Sequence, residues 1–141
     1  MKRLVGLLGL LGGAILLMAA QPVPRSAGPE SPIERGRYIV ERVAMCIECH
    51  TPRDGSGSLI TTRLLQGAPI PVSAPPFPNQ SWAFQAPAIA GLVGYVTEEE
   101  VQLLTQGIVT RTGKPPTPPM PRFRMTRQDA EAVIAFLRSL K

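Results

Sequence analysis

The chain has 141 residues, 44% of them hydrophobic and 18% charged, which fits one folded domain. Its 16 prolines and 13 glycines point to short helices and much irregular backbone, and with 5% aromatic residues a large purely proteinaceous core is not expected; a bulky planar cofactor would supply the missing apolar volume. The net charge of +5 is not gathered into a dense Lys/Arg stripe, so no nucleic-acid surface is indicated, and the mild basicity suits docking to an acidic protein partner.

Met1-Lys2-Arg3 is a positive start, Leu4 to Ala20 is apolar without a charge, and Gln21-Pro22 breaks the run. This is the layout of a signal peptide over residues 1–20, cut after Ala20, although Met18 is larger than the small residue preferred before such a cut. The other reading is an uncleaved membrane anchor, for which seventeen helical residues reach about 26 Å against a bilayer core of about 30 Å. Either way the remainder lies outside the cytoplasm, in the periplasm or otherwise exported, and a membrane is a partner only if the segment stays attached. Without Lys2 and Arg3 the net charge falls from +5 to +3. Residues 21–31, rich in Pro, Ser and Gly, read as a flexible spacer, leaving 32–141 as the folded domain.

A helix is expected from Pro32 to Ala44, with Ser31 as N-cap and Pro32 at the first helical position. Gly36, Ile39, Val40 and Val43 form one apolar stripe leading into Cys46. From Thr51 to Gly94 no long periodic segment appears, and prolines at this density exclude a long helix or central strand. An irregular stretch of that length needs a function or something to cover. Thr97 and Glu100 have the spacing of a capping box, opening a helix that Gly107 ends. After the proline run 115–121, Thr126 caps a last helix with Ala130, Val133, Ile134, Leu137 and Leu140 on one stripe, widened by Phe136.

Cys46-Ile47-Glu48-Cys49-His50 is a C-x-x-C-H sequence, the attachment motif of c-type haem. Two thiols three positions apart on a helical turn can each add to one vinyl group of the same porphyrin, holding His50 beside the iron as proximal ligand. A thioredoxin-like C-x-x-C needs no histidine and sits in a βαβ context, which is absent here. A structural zinc site needs four ligands, and this chain has two cysteines and one histidine in total.

Since His50 is the only histidine, the sixth iron ligand is a methionine, water, a main-chain or unusual group, or nothing. Methionine raises the potential and suits electron transfer. Met120, held among Pro118, Pro119 and Pro121, is favoured over Met125, which precedes the Thr126 cap where a hydrophobic residue staples onto the helix. Pro52 or Pro87 is expected to offer a carbonyl to the second ring nitrogen of His50. Tyr38, Trp82, Tyr95, Arg53 and Arg63 are candidates to meet a haem propionate, beside plainer roles in packing or on the solvated surface. Arg122, Arg124 and Arg127 form a candidate docking patch next to Met120.

The attachment motif followed by Thr51-Pro52-Arg53, with Pro119-Met120-Pro121, Thr126 and the closing helix 129–137, resembles a class I monohaem cytochrome c of the small bacterial type over about residues 32–53 and 91–140. The resemblance implies an all-α fold whose first and last helices cross near Gly36 and Phe136. It also implies one covalently bound haem with His50 and Met120 on opposite faces, and a place beside periplasmic dehydrogenases, in which related domains serve as haem subunits. Residues 54–90 are longer and richer in proline than a minimal cytochrome needs. The expected function is electron transfer, by a free carrier or by a haem subunit fixed in a dehydrogenase or respiratory complex. A peroxidase or gas sensor would need an open sixth site and polar distal groups.

Overall fold

A computed structural model describes residues 31–77 and 79–141; the signal or anchor segment and most of the spacer fall outside the described residues. Within the described residues no helix is long and apolar enough to cross a membrane.

Helix α1 (Pro32–Tyr38) starts on Ser31, whose hydroxyl accepts from the Glu34 N–H while the Glu34 carboxylate accepts from the Ser31 N–H, both at 3.2 Å. Beyond Tyr38 the chain takes a wider π turn, Ile39–Val43, closed by the Ala44 N–H on the Ile39 carbonyl at 2.7 Å. The regular helix expected to Ala44 therefore ends early. A π turn holds one extra residue, which rotates the next side chains by about 100° around the axis. Val43 accordingly leaves the stripe and is exposed, and Ala44 takes the inward position. Met45 adopts left-handed backbone (φ 54°) and sets the direction of α2 (Cys46–His50).

The middle of the chain has only short pieces: a 3₁₀ turn at Thr61–Arg63, an antiparallel pair β1 (Ala68–Pro69) and β2 (Gln85–Ala86), and a kinked turn at Ala90–Leu92. Leu65 and Thr51 anchor it inside, the Thr51 hydroxyl accepting from the Leu65 N–H at 3.0 Å. Helix α3 (Thr97–Gln106) ends on Gly107 at φ 63°, a left-handed cap that glycine adopts without strain. The capping box expected at its start does not form: Thr97 is already helical, and its hydroxyl accepts instead from Arg138. Helix α4 (Arg127–Ser139) is capped by Thr126, which accepts from the Asp129 N–H at 3.1 Å.

Helix α1 packs across α4, with Gly36 at the crossing facing Ala132 and Phe136. Val40, Leu65, Ala130, Val133 and Phe136 are each 1% exposed or less. Burying an aliphatic or aromatic side chain of this size gains roughly 1.5–3 kcal/mol, so this small cluster carries much of the stability. The fold is all-α, four helices and one minimal strand pair among the described residues, with α3 packed on α4 and α2 on the π turn and β1.

Candidate cofactor site

The helices and the middle segment enclose a cavity of about 440 Å³, within the roughly 300–1,000 Å³ range of small-molecule sites. Cys46, Cys49 and His50 of α2 lie on its wall, as do Met120 and its neighbours Pro119 and Pro121. Most of the remaining lining is apolar, including Ile70, Leu92, Leu104 and Leu137.

His50 is 7% exposed, and its Nδ1 faces the Pro87 carbonyl at 2.8 Å. A carbonyl only accepts, so Nδ1 must donate, and the lone pair of the neutral ring is left on Nε2 for a metal. Burial lowers the His50 pKa below its ordinary value, partly opposed by the Pro87 bond, and so favours the neutral ligating form. Of the two prolines expected near the ring, Pro87 makes this contact; the Pro52 carbonyl accepts from the Ile60 N–H at 2.8 Å instead. The α2 turn is also tied to the middle segment by the Gly67 N–H, which donates to the His50 carbonyl at 2.8 Å. Gly67 has φ 82°, and a Cβ there would meet the Ala88 nitrogen at 2.8 Å, so the close approach requires glycine.

Cys46 and Cys49 are free and partly buried, and burial pushes the Cys46 thiol up to about 11. The two methionines are treated differently. Met120 faces the cavity, while Met125 packs against the core and donates its N–H to the Leu104 carbonyl at 3.0 Å. Met120 is preceded by a cis Pro118–Pro119 bond, and the Pro118 carbonyl accepts from the Ala83 N–H at 2.7 Å, joining the methionine loop to the middle segment.

The candidates for propionate contact separate. Trp82 Nε1 is buried without a hydrogen-bond partner among the described residues, next to Ala83 on the cavity wall. A buried donor left unsatisfied is costly, but Trp82 itself does not line the cavity. Tyr95 lines the cavity, but its hydroxyl already donates to the Ala88 carbonyl at 3.3 Å. Tyr38 is half-exposed with Arg35 over its ring, Arg53 is held by Glu48 and the Gly57 carbonyl, and Arg63 is exposed; none of the three lines the cavity. Arg122 and Arg124 are exposed, whereas Arg127 is engaged by Glu98 and Glu131.

Sequence reasoning missed Glu100, which reaches the cavity wall with Leu103 and Leu104. The three share a helix face at spacings of three and four, the signal that would have found it. The chemistry of the donors fits haem: two thiols one turn apart, a neutral imidazole, a thioether and apolar walls. Those residues could hold it.

The model of the family described as Cytochrome c matches residues 33–141. The chain is also similar to a protein of Cereibacter sphaeroides described as "Diheme cytochrome c-type", 43% identical over 72 residues, which make up 50% of this chain and 24% of the relative. The matched stretch is thus about a quarter of the relative's length.

Proposed function

This chain belongs to the cytochrome c family, whose members transfer electrons through haem, and on that premise we propose that it is an exported carrier with a single haem. Cys46 and Cys49 would hold the haem covalently, each thiol adding its sulfur and its hydrogen across one vinyl group. His50 and Met120 would supply the two iron ligands. A bound haem supplies the one-electron Fe(III)/Fe(II) couple. The observation that carries this reading is the cavity where the attachment turn and Met120 meet, with the His50 ring locked by Pro87 in the ligating tautomer.

The residues around the cavity have distinct tasks. Pro87 fixes the orientation of the imidazole and makes it more basic toward the metal. Met120, a weak neutral donor, favours the reduced state and raises the potential. The apolar lining keeps water out, which also disfavours the more highly charged oxidised site. The segment Leu4–Ala20 supports export to the periplasm.

A second reading, a haem subunit fixed in a larger oxidoreductase, is favoured by one feature. Residues 64–97 contain no charged side chain, yet Val72, Phe77, Phe84, Val93 and Val96 in this stretch are exposed. A neutral apolar surface gives little electrostatic steering and suits permanent contact better than transient encounters.

The test is production of the chain in cells able to attach haem c. Intact mass should show one haem per chain, and the protein should cycle reversibly between ferric and ferrous without substrate. None or two haems per chain would overturn the reading, as would fast stoichiometric binding of carbon monoxide to the reduced protein. Copurification of the untagged chain with one stable partner would select the subunit form.

A further inference from the structure

Helix α3 opens with three consecutive glutamates, and the structure treats the third unlike the others. Glu98 accepts from Arg127 at 2.6 Å, and Glu99 accepts from Arg111 at 3.1 Å. The carboxylate of Glu100 makes no hydrogen bond or ion pair among the described residues, although the side chain is half-buried on the wall of the cofactor cavity. A carboxylate placed there without a bonded cation has lost hydration and gained no hydrogen-bond partner, which is costly while it remains charged.

Glu100 has a second property. A smaller cavity of about 310 Å³ lies behind the first, and Glu100, Tyr95 and Leu103 line both. The residue therefore forms part of the wall between the cofactor space and a second opening bordered by Thr110 and Arg111. The second cavity thus gives this carboxylate a face that is not turned to the cofactor space.

We propose that Glu100 takes up one proton when the iron is reduced and releases it on oxidation, coupling electron transfer to proton exchange with solvent. The inference rests on the haem reading above. The electron comes from a redox partner, or an electrode in the test, and enters the iron; the proton comes from solvent and neutralises the carboxylate. The site loses one positive and one negative charge together, so its net charge is unchanged. A ferric site attracts the carboxylate charge more strongly than a ferrous one, so the carboxyl holds its proton more tightly after reduction.

The groups facing Glu100 support this use. Burial raises its pKa above the ordinary value, as does the adjacent Glu99, while Arg111 lowers it in part. Tyr95 shares its wall and stays neutral well above physiological pH, its own pKa raised by burial and by Glu100. Glu48 and His50 border the same cavity. Of the charged residues of α4 near the start of α3, Arg127 is engaged with Glu98 and Glu131, and Arg138 with Thr97.

The experiment is spectroelectrochemical titration of the intact holoprotein between acid and mild alkali, with the Glu100→Gln and Glu98→Gln variants. The wild-type midpoint potential should fall as pH rises through one carboxyl titration and level off on either side. Glu100→Gln should remove that slope while its absorption spectrum stays unchanged, and Glu98→Gln should keep it. Reduced-minus-oxidised infrared spectra should show a protonated-carboxyl band in the wild type that is absent from Glu100→Gln. A slope and band that survive in Glu100→Gln, or a wild-type potential independent of pH, would overturn the coupling while leaving the electron-carrier reading intact. A chain that attaches no haem would overturn that reading itself.

Discussion

Gly36 faces the Ala132 carbonyl so closely that a Cβ on residue 36 would stand 2.6 Å from the carbonyl carbon and 2.8 Å from the Phe136 Cβ. Real Cβ atoms do not approach backbone this closely, and neither helix can yield without opening the core around Val40 and Val133. Gly36→Ala should therefore destabilise the holoprotein by about 3 kcal/mol, the upper end of ordinary overpacking. Guanidinium unfolding checks this; an unchanged midpoint would mean the crossing is looser than its geometry.

Met120 and Met125 should separate cleanly. Met120→Ala should abolish the weak far-red band of ferric iron–methionine ligation and lower the potential, because the variant loses the thioether on the cavity wall. Met125→Ala should keep the band and lose roughly 2–3 kcal/mol of stability, at the lower end of Met-to-Ala truncations because Met125 is only partly buried. Loss of the band in the Met125 variant instead would reverse the ligand assignment.

Gly67→Ala tests the support of the His50 ring. The new Cβ must push on the Ala88 nitrogen and on the backbone that carries the Pro87 carbonyl, at a residue whose φ disfavours any side chain. The expected loss is about 1–3 kcal/mol. Because the His50 bond to Pro87 is disturbed, the midpoint potential should shift as well. A stability loss with an unmoved potential would show that the carbonyl does not tune the ligand.

Asp129 sets an acid limit. Arg35 donates to its carboxylate at 2.9 Å and, with a smaller contribution from Thr126, holds it below the usual carboxylate range despite some burial. A folded-state pKa below the unfolded one stabilises the fold above the unfolded value, near pH 3.9. That contribution is lost as pH falls through the folded-state pKa. Asp129→Asn should thus be less stable than wild type at neutral pH, the two converging in strong acid. Thermal unfolding across that range decides it; a constant gap would assign the effect to something other than titration.

Much of this was legible in the sequence because its causes are local. The spacing of Cys46, Cys49 and His50 is a property of one helical turn, and Ser31 and Thr126 each cap the helix that begins beside them. A single histidine excludes a second histidine ligand from this chain by counting alone. The stripe on α4 is read directly from its period.

Tertiary structure decided the features that depend on residues far apart in the chain. The π turn that turns Val43 outward and Ala44 inward shows only once the cavity and core are in place. The choice of Pro87 over Pro52 rests on how the middle segment returns to α2, and the position of Met120 rests on its loop closing over the cavity. Arg138 claims Thr97 from the other end of the fold, so a good local capping box is left unformed. Glu100 looks like its two neighbours in sequence; only the packing of α3 shows that two glutamates meet arginines while the third faces the cofactor space. Local chemistry is set by neighbours along the chain, whereas the environment of a ligand or a carboxylate is made by neighbours in space.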